Sequence, residues 1–161
     1  MMKKIYFAFL ILVIAVAFIG QAYADPGTER YVNSRYGFSF EYPDIFDYSR
    51  ESDNGDGITL KKPDEKISLI VWGGVNIFNY DAKSLLKEKE ERGGAKTVRA
   101  KRLFENSGFI EYVQNGMMHI EAFSLNSSVT VNCVFSFRVE DEKYMRPFAE
   151  KIKKSVMNAK K

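Results

Sequence analysis

Two residues of the chain could in principle form a nucleophile and its base. Cys133 is the only cysteine and His119 is the only histidine. A thiol beside an imidazole is activated only where the two side chains face each other and reach solvent. Residues 129–137 alternate apolar side chains with a period of two, which places Cys133 on the apolar face of a strand. The pattern therefore favours a buried Cys133 thiol that acts as a small hydrophobic residue over a reactive thiol. It likewise favours a structural or surface role for His119 over a catalytic one.

An acidic loop offers the only pattern suggestive of a metal site. Residues 53–57 read Asp-Asn-Gly-Asp-Gly, and oxygen-rich loops bent by glycine can hold calcium. The spacing does not match the EF-hand pattern, because no glutamate stands at the closing position of such a loop. A plain turn is favoured, with Asp53 and Asp56 as weak candidate ligands for a cation.

Two glutamates could form an acid–base pair if a hairpin brought them together. Glu111 and Glu121 flank Asn115-Gly116, the strongest two-residue hairpin signal in the chain. A two-residue turn makes Val113 face Met118, so the period of two puts the two glutamates on opposite faces. Phosphate-loop, dinucleotide, nucleophile-elbow and zinc-protease motifs are also missing from the sequence. No catalytic residue and no cofactor are predicted.

Two further features have ordinary structural explanations. Residues 72–74, Trp-Gly-Gly, end a strand, and glycines there would let another group approach closely. Lys151, Lys153 and Lys154 crowd the last helix, where they complement its dipole. A solvated face is favoured there over contact with anionic lipid or nucleic acid, since no aromatic stacking platform adjoins it.

The first 24 residues have the organisation of an export signal. Lys3 and Lys4 precede an unbroken apolar run of 15 residues at positions 5–19, and Ala22 and Ala24 are the small residues of a cleavage site. The run is shorter than the roughly 20 residues that span a bilayer, which favours cleavage over an uncleaved anchor. No cysteine stands at the cleavage point, so a lipoprotein is not expected. The mature protein should be periplasmic or secreted.

The mature chain has the size of a single domain. Removing 24 of 161 residues leaves 137, and the net charge falls from +3 to +1. This composition excludes a multidomain enzyme, a strongly basic nucleic-acid binder, an acidic disordered tail and a disulfide-rich miniprotein. We expect a polar leader at residues 25–30, one domain at 31–158 and a basic tail at 159–161.

The elements that would position these residues are strands joined mostly by hairpins. Strands are predicted at residues 31–32, 38–42, 58–62, 67–72, 97–104, 109–114, 117–125 and 129–137, and helices from Asn79 or Asp81 to Arg92 and over 141–158. Hairpins imply antiparallel pairing, so the fold class is α+β, an α/β/α sandwich with a central antiparallel sheet of about six to seven strands. Within residues 67–72, Ile70 and Trp72 share the face opposite Leu69, which predicts a central strand covered on both sides.

The two ends of the domain resemble a known family. Residues 31–43 read Tyr-Val-Asn-Ser-Arg-Tyr-Gly-Phe-Ser-Phe-Glu-Tyr-Pro, similar to the Y-x-N-x-x-Y-G-F-S-F-x-Y-P start of PsbP-like proteins. Residues 152–156, Ile-Lys-Lys-Ser-Val, resemble the I-x-x-S-[FIV] helix that ends this group. The group includes the extrinsic photosystem II subunit of plants, the Ran-binding Mog proteins of nuclear transport and small exported bacterial proteins. The resemblance covers about residues 31–158 and implies an α/β/α sandwich. It implies no shared set of catalytic residues, and it gives no reason to expect a photosystem or Ran as the partner.

We therefore expect a non-catalytic exported accessory or binding module. We expect it to be a monomer that contacts another protein or an envelope component. Binding to nucleic acid is not expected, nor is binding to a membrane once the signal is removed. An exposed apolar patch at a sheet edge or around a loop would distinguish this function. The alternative is a small-ligand or calcium-binding protein that uses the loop at residues 49–57, and an enzyme is the least favoured class.

Overall fold

The computed structural model describes residues 26–126 and 128–159. The predicted export signal, with Ala22 and Ala24, lies outside the described residues, as do residues 160–161 of the predicted tail. The described part contains nine strands, β1 Thr28–Asn33, β2 Phe38–Pro43, β3 Tyr48–Glu51, β4 Gly57–Lys62, β5 Ile67–Val75, β6 Thr97–Leu103, β7 Ser107–Gln114, β8 Met117–Asn126 and β9 Val129–Arg138. Its two α-helices are α1 Ala82–Glu91 and α2 Glu142–Met157, and 3₁₀ turns lie at Pro63–Glu65 and Val139–Asp141. Neither α-helix is long and apolar enough to cross a membrane.

Seven strands form the central antiparallel sheet, in the order β3-β4-β5-β9-β8-β7-β6. The β7–β8 hairpin turns at Asn115 and Gly116, both with positive φ, at 51° and 74°. Val113 pairs with Met118 and Tyr112 with His119, as the two-residue turn predicts. The hairpin thereby fixes which side chains of β7 and β8 share a face.

Helices lie on both faces of this sheet, which confirms the α+β fold. The β1–β2 hairpin and α2 cover one face, and α1 lies on the other. Asp81 caps α1 by accepting a hydrogen bond from the Ser84 N–H at 2.7 Å. Ala82 and Leu85 of α1 pack against Phe123. The core under α2 is built mainly from Phe38, Phe40, Leu69, Val71, Phe135, Phe137, Phe148, Ile152 and Val156.

One boundary and one strand differ from the sequence-based expectation. The predicted leader at residues 25–30 is too long, because Thr28 already pairs with Pro43 and Arg30 pairs with Glu41 in the β1–β2 ladder. Strand β3 was not predicted at all. All four of its residues are exposed at the sheet edge, so its sequence carries no alternation of apolar and polar side chains.

Candidate docking surface

Cys133 and His119 lie on opposite faces of the sheet. Cys133 pairs with Ala122 in the β8–β9 ladder, whereas His119 pairs with Ser136, three residues further along the strand. Cys133 is a free, fully buried thiol in the core under α2, and desolvation raises its pKa to about 12. His119 Nδ1 lies 2.8 Å from the Ser136 hydroxyl, and desolvation lowers the pKa of the imidazole. The structure therefore does not bring the thiol and the imidazole together.

The loop with Asp53 and Asp56 is closed by its own hydrogen bonds. Ser52 Oγ accepts hydrogen bonds from the backbone N–H groups of Asp56 at 2.9 Å and Gly57 at 3.0 Å. Asp53 pairs with Arg50 at 3.1 Å on the exposed surface, and hydrogen bonding to Ser52 lowers the pKa of Asp56. Across residues 26–126 and 128–159 no three acidic, histidine or cysteine side chains converge as metal ligands. These contacts describe a turn, the interpretation that the sequence favours, and they do not test the alternative of a weak cation site.

Glu111 fastens α2 to the sheet. Its buried carboxylate accepts a hydrogen bond from Lys153 Nζ at 2.8 Å and another from Arg146 Nη1 at 2.6 Å. The sequence predicts that the lysines of this helix lie on a solvated face. For Lys153 this prediction is wrong, because the side chain is buried and only 7% exposed. The Lys153 ammonium lies 3.9 Å from the centre of the Phe109 ring and is paired with both Glu111 and Glu150, each at 2.8 Å.

Glu121 has the corresponding role for α1 on the other face. Its carboxylate lies 3.5 Å from the buried Lys89 ammonium and 3.4 Å from Arg92, and accepts a hydrogen bond from the Tyr112 hydroxyl at 2.8 Å. Burial raises the pKa of the Tyr112 hydroxyl, and the hydrogen bond to Glu121 raises it further. The two glutamates lie on opposite faces, as predicted from the turn, and both hold helices rather than form an acid–base dyad.

The glycines after Trp72 admit a part of the chain itself. A Cβ atom on Gly73 would lie 2.8 Å from Phe38 Cε1 and 2.8 Å from Tyr36 Cβ. Those two residues belong to the β1–β2 hairpin, which packs directly on β5 at this point. The close approach that the glycines predict is therefore a packing contact inside the fold.

An apolar tip protrudes where β5 leaves the sheet. We define it as Val75, Ile77, Phe78 and Tyr80, which precede α1. Ile77 is 71% exposed and Phe78 is 70% exposed, and the Phe78 and Tyr80 rings lie 5.5 Å apart. The sequence pattern assigns no helix or strand to residues 75–78, at the end of β5 and before α1.

Hydrogen bonds hold the backbone of the apolar tip in shape. Asn76 Nδ2 donates to the Tyr80 carbonyl at 2.7 Å, and Asn76 Oδ1 accepts from the Tyr80 N–H at 2.9 Å. The Asn76 N–H donates to the Ser128 carbonyl at 2.6 Å, and Asn79 takes a positive φ of 51°. Because both ends of the turn are fixed, Ile77 and Phe78 are held outward instead of folding back onto the sheet.

Comparisons with known proteins bear on the fold. No family model and no curated protein sequence matches the chain. Among solved structures, the chain is similar to the solution structure of cyanobacterial PsbP (CyanoP) from Synechocystis sp. PCC 6803, with a TM-score of 0.60 and 12% sequence identity. The match covers 84% of this chain and 94% of that one. It confirms the PsbP-like fold implied by residues 31–43 and 152–156, while the link to Mog-type proteins stays a prediction. Likeness at this identity carries no activity with it.

Proposed function

We propose that the protein is a non-catalytic accessory module that works outside the cytoplasm by docking onto another protein through the apolar tip. The observation that carries the proposal is the exposure of Ile77 and Phe78, about 70% each, on a turn fixed by hydrogen bonds. An exposed apolar patch around a loop is the feature expected of a binding module.

The tip has the energetic character of an interaction site. Fully burying a side chain such as Ile or Phe is worth about 1.5–3 kcal/mol, and the fold leaves most of this gain unused at two adjacent positions. A turn that is already ordered loses little conformational entropy when it binds. Phe78 and Tyr80 also supply aromatic surface, in which binding hot spots are rich.

A protein pocket fits the tip better than a lipid surface does. Between Val75 and Asp81 the sequence contains no lysine or arginine, and Asp81 adds a negative charge at the end of the tip. Segments that bind membrane surfaces combine apolar side chains with basic ones that attract anionic headgroups. The tip lacks that combination, so we assign it to a concave apolar site on another protein.

The proposal is tested by photo-crosslinking in the native host. The full chain carries the photoreactive residue p-benzoylphenylalanine at position 78, and a matched control carries it at Val32, which is 63% exposed on β1. We expect one discrete protein adduct from position 78 that position 32 does not give. Adding Ile77→Ser should reduce its yield about tenfold, because truncating a hot spot costs 1–2 kcal/mol or more.

Two results would contradict the proposal. Identical adducts from positions 78 and 32 would show that the tip has no selective partner. Adducts to lipid without a protein adduct at position 78 would reassign the tip to the membrane surface.

A further inference from the structure

Among the described residues, no helix lies over about half of one sheet face. Helix α1 packs mainly on β6, β7 and β8, and the ammonium of its Lys89 lies 5.8 Å from the centre of the Trp72 ring. No described helix covers β3, β4 or the row of β5 and β9 that holds Ile70 and Val134, although Asn132 and Ser136 on either side of Val134 are buried. Ile70 there is 42% exposed, although the sequence of β5 predicts a strand covered on both faces. We call this surface the open face and define it by Arg50, Thr59, Lys61, Ile70, Trp72 and Val134.

The ladder register shows that the apolar residues of the open face adjoin one another. Ile70 pairs with Val134 on β9 and with Thr59 on β4, so the three side chains stand in one row across the sheet. Trp72 lies two residues along β5 from Ile70, on the same side, and is half-buried. Paired residues and their i+2 neighbours are within contact distance, so Ile70, Val134 and Trp72 form one apolar strip with Thr59 beside it.

The dimensions of the open face suit one helix. Neighbouring strands lie about 4.8 Å apart, so β3 and β9 are separated by about 14 Å across three intervals. A helix with its side chains is about 10–12 Å wide, which fills this space beside α1. Among the described residues no helix is left to occupy it, since α2 lies on the opposite face with the β1–β2 hairpin, where the described chain begins.

The exposed charges at the outer edge of the open face are basic. Arg50 pairs with Thr59 and therefore stands in the same row as Ile70, and Lys61 lies two residues from Thr59 on the same side. Arg50 has an exposed ion pair with Asp53, a contact that contributes little in water. The carboxylate of Glu121 on this side of the sheet is buried and already paired to α1. A ligand with acidic side chains beside its apolar stripe complements this edge.

We infer that the open face binds an acidic amphipathic helix of a partner protein, completing the second helical layer of the sandwich. Apolar residues of that helix would cover Ile70, Trp72 and Val134, and its acidic flank would meet Lys61 and Arg50. This surface is separate from the apolar tip, and the inference does not depend on the function proposed for the tip.

Trp72 makes the inference directly measurable, because it is the only tryptophan of the chain. The probes are two 18-residue amphipathic helical peptides with leucines at i, i+3, i+4 and i+7, flanked by glutamates in one and by lysines in the other. We expect the glutamate peptide to shift Trp72 emission to shorter wavelength in a saturable way, with at least tenfold tighter binding than the lysine peptide. Ile70→Glu should weaken this binding tenfold or more, and Phe78→Ser should leave it unchanged.

A charge-reversed variant guards against loss of folding as an explanation. Arg50→Glu combined with Lys61→Glu alters exposed side chains alone, and it should reverse the preference in favour of the lysine peptide. Equal binding of both peptides, or no binding of either, would overturn the inference. An emission shift that appears without peptide and grows with protein concentration would overturn it too, because a second copy of the chain would then occupy the face.

Discussion

Gly73 is the residue on which the contact between two layers of the molecule depends. The β1–β2 hairpin approaches β5 so closely that a methyl group at this position would meet Phe38 and Tyr36 at 2.8 Å. Phe38 is 3% exposed and cannot move aside without disturbing the core. A one-carbon change at this point therefore affects the packing of a whole layer.

Gly73→Ala should lower the free energy of unfolding by about 1–3 kcal/mol, the usual cost of overpacking a core. Gly74→Ala is the matched control, because its Cβ would meet Thr130 Oγ1 at an ordinary 3.7 Å. Urea unfolding of both variants measures the difference. Equal effects of the two substitutions would show that Gly73 is not a packing constraint.

Single residues differ in how far their surroundings could be predicted from sequence. The burial of Cys133 follows from the alternation of its own strand, a local pattern. The separation of Cys133 from His119 depends on the β8–β9 register, which the sequence does not display. The tight contact at Gly73 could not be foreseen either, since its partner residues lie more than 30 positions earlier in the chain.

The two helices are attached to the sheet by the same device, a buried glutamate facing basic side chains. Glu111 meets Lys153 and Arg146 of α2, and Glu121 meets Lys89 and Arg92 of α1. A buried ion pair adds little stability compared with an apolar pair, but removing one partner leaves a buried charge without compensation. Each glutamate therefore constrains where its helix can sit on the sheet.

Glu111→Gln should lower the free energy of unfolding by about 1–3 kcal/mol at neutral pH, because Lys153 and Arg146 would lose the buried carboxylate between them, while Lys153 keeps its contact with Glu150 at 2.8 Å. Burial opposes ionisation of Glu111, but the hydrogen bonds from Lys153 and Arg146 outweigh it, so the pKa of the carboxyl is lowered. A lowered folded-state pKa contributes stability above the ordinary value near 4.5, and the contribution disappears as the pH falls through the folded-state pKa.

The difference in unfolding free energy between the native chain and Glu111→Gln should thus shrink as the pH is lowered from 7 to below 4. Denaturant unfolding at a series of pH values measures it. Glu91→Gln provides the control, since Glu91 is 68% exposed and pairs with Lys87 at 3.7 Å, where an ion pair is worth about 0–1 kcal/mol. A pH-independent difference for Glu111→Gln would refute the assignment.

Elements with a strong local signal were predictable, and those defined by distant contacts were not. The β7–β8 hairpin follows from Asn115-Gly116, and α1 from Asp81 and the glycines after Arg92. Strand β3 has no alternation of apolar and polar side chains and no turn signal beside it. It is a strand because its backbone pairs with the edge of β4. The pairing of β5 with β9 joins residues such as Ser68 and Ser136, and no local pattern specifies it.

At the scale of the whole molecule, the two candidate interaction surfaces lie at different places on the fold. The apolar tip follows the end of β5, and the open face spans β3, β4, β5 and β9. Neither was located from sequence, because an apolar side chain in a strand or loop looks the same there whether the fold buries it or leaves it exposed. The uncovered Ile70 stands out because it conflicts with the two-sided apolar pattern of its strand.

The state in which the chain works decides whether these surfaces are available. Cleavage after Ala24 would release a protein of residues 25–161 into the extracytoplasmic space. We expect native mass spectrometry of the protein recovered from its own host's envelope fraction to give the mass of that single processed chain. Small added masses are not expected, because no tightly held cofactor is predicted.

Each departure from that mass has a definite meaning. A chain that retains residues 1–24 would be anchored and would contradict the release of the module. A species of twice the processed mass would mean that a second copy covers one of the two surfaces, and one added calcium would favour the loop with Asp53 and Asp56 as a working site. A heavier complex that dissociates to the processed chain and one other protein would identify the partner by its mass. Crosslinks from position 78 would then place that partner at the apolar tip, and a shift of Trp72 emission would place it at the open face.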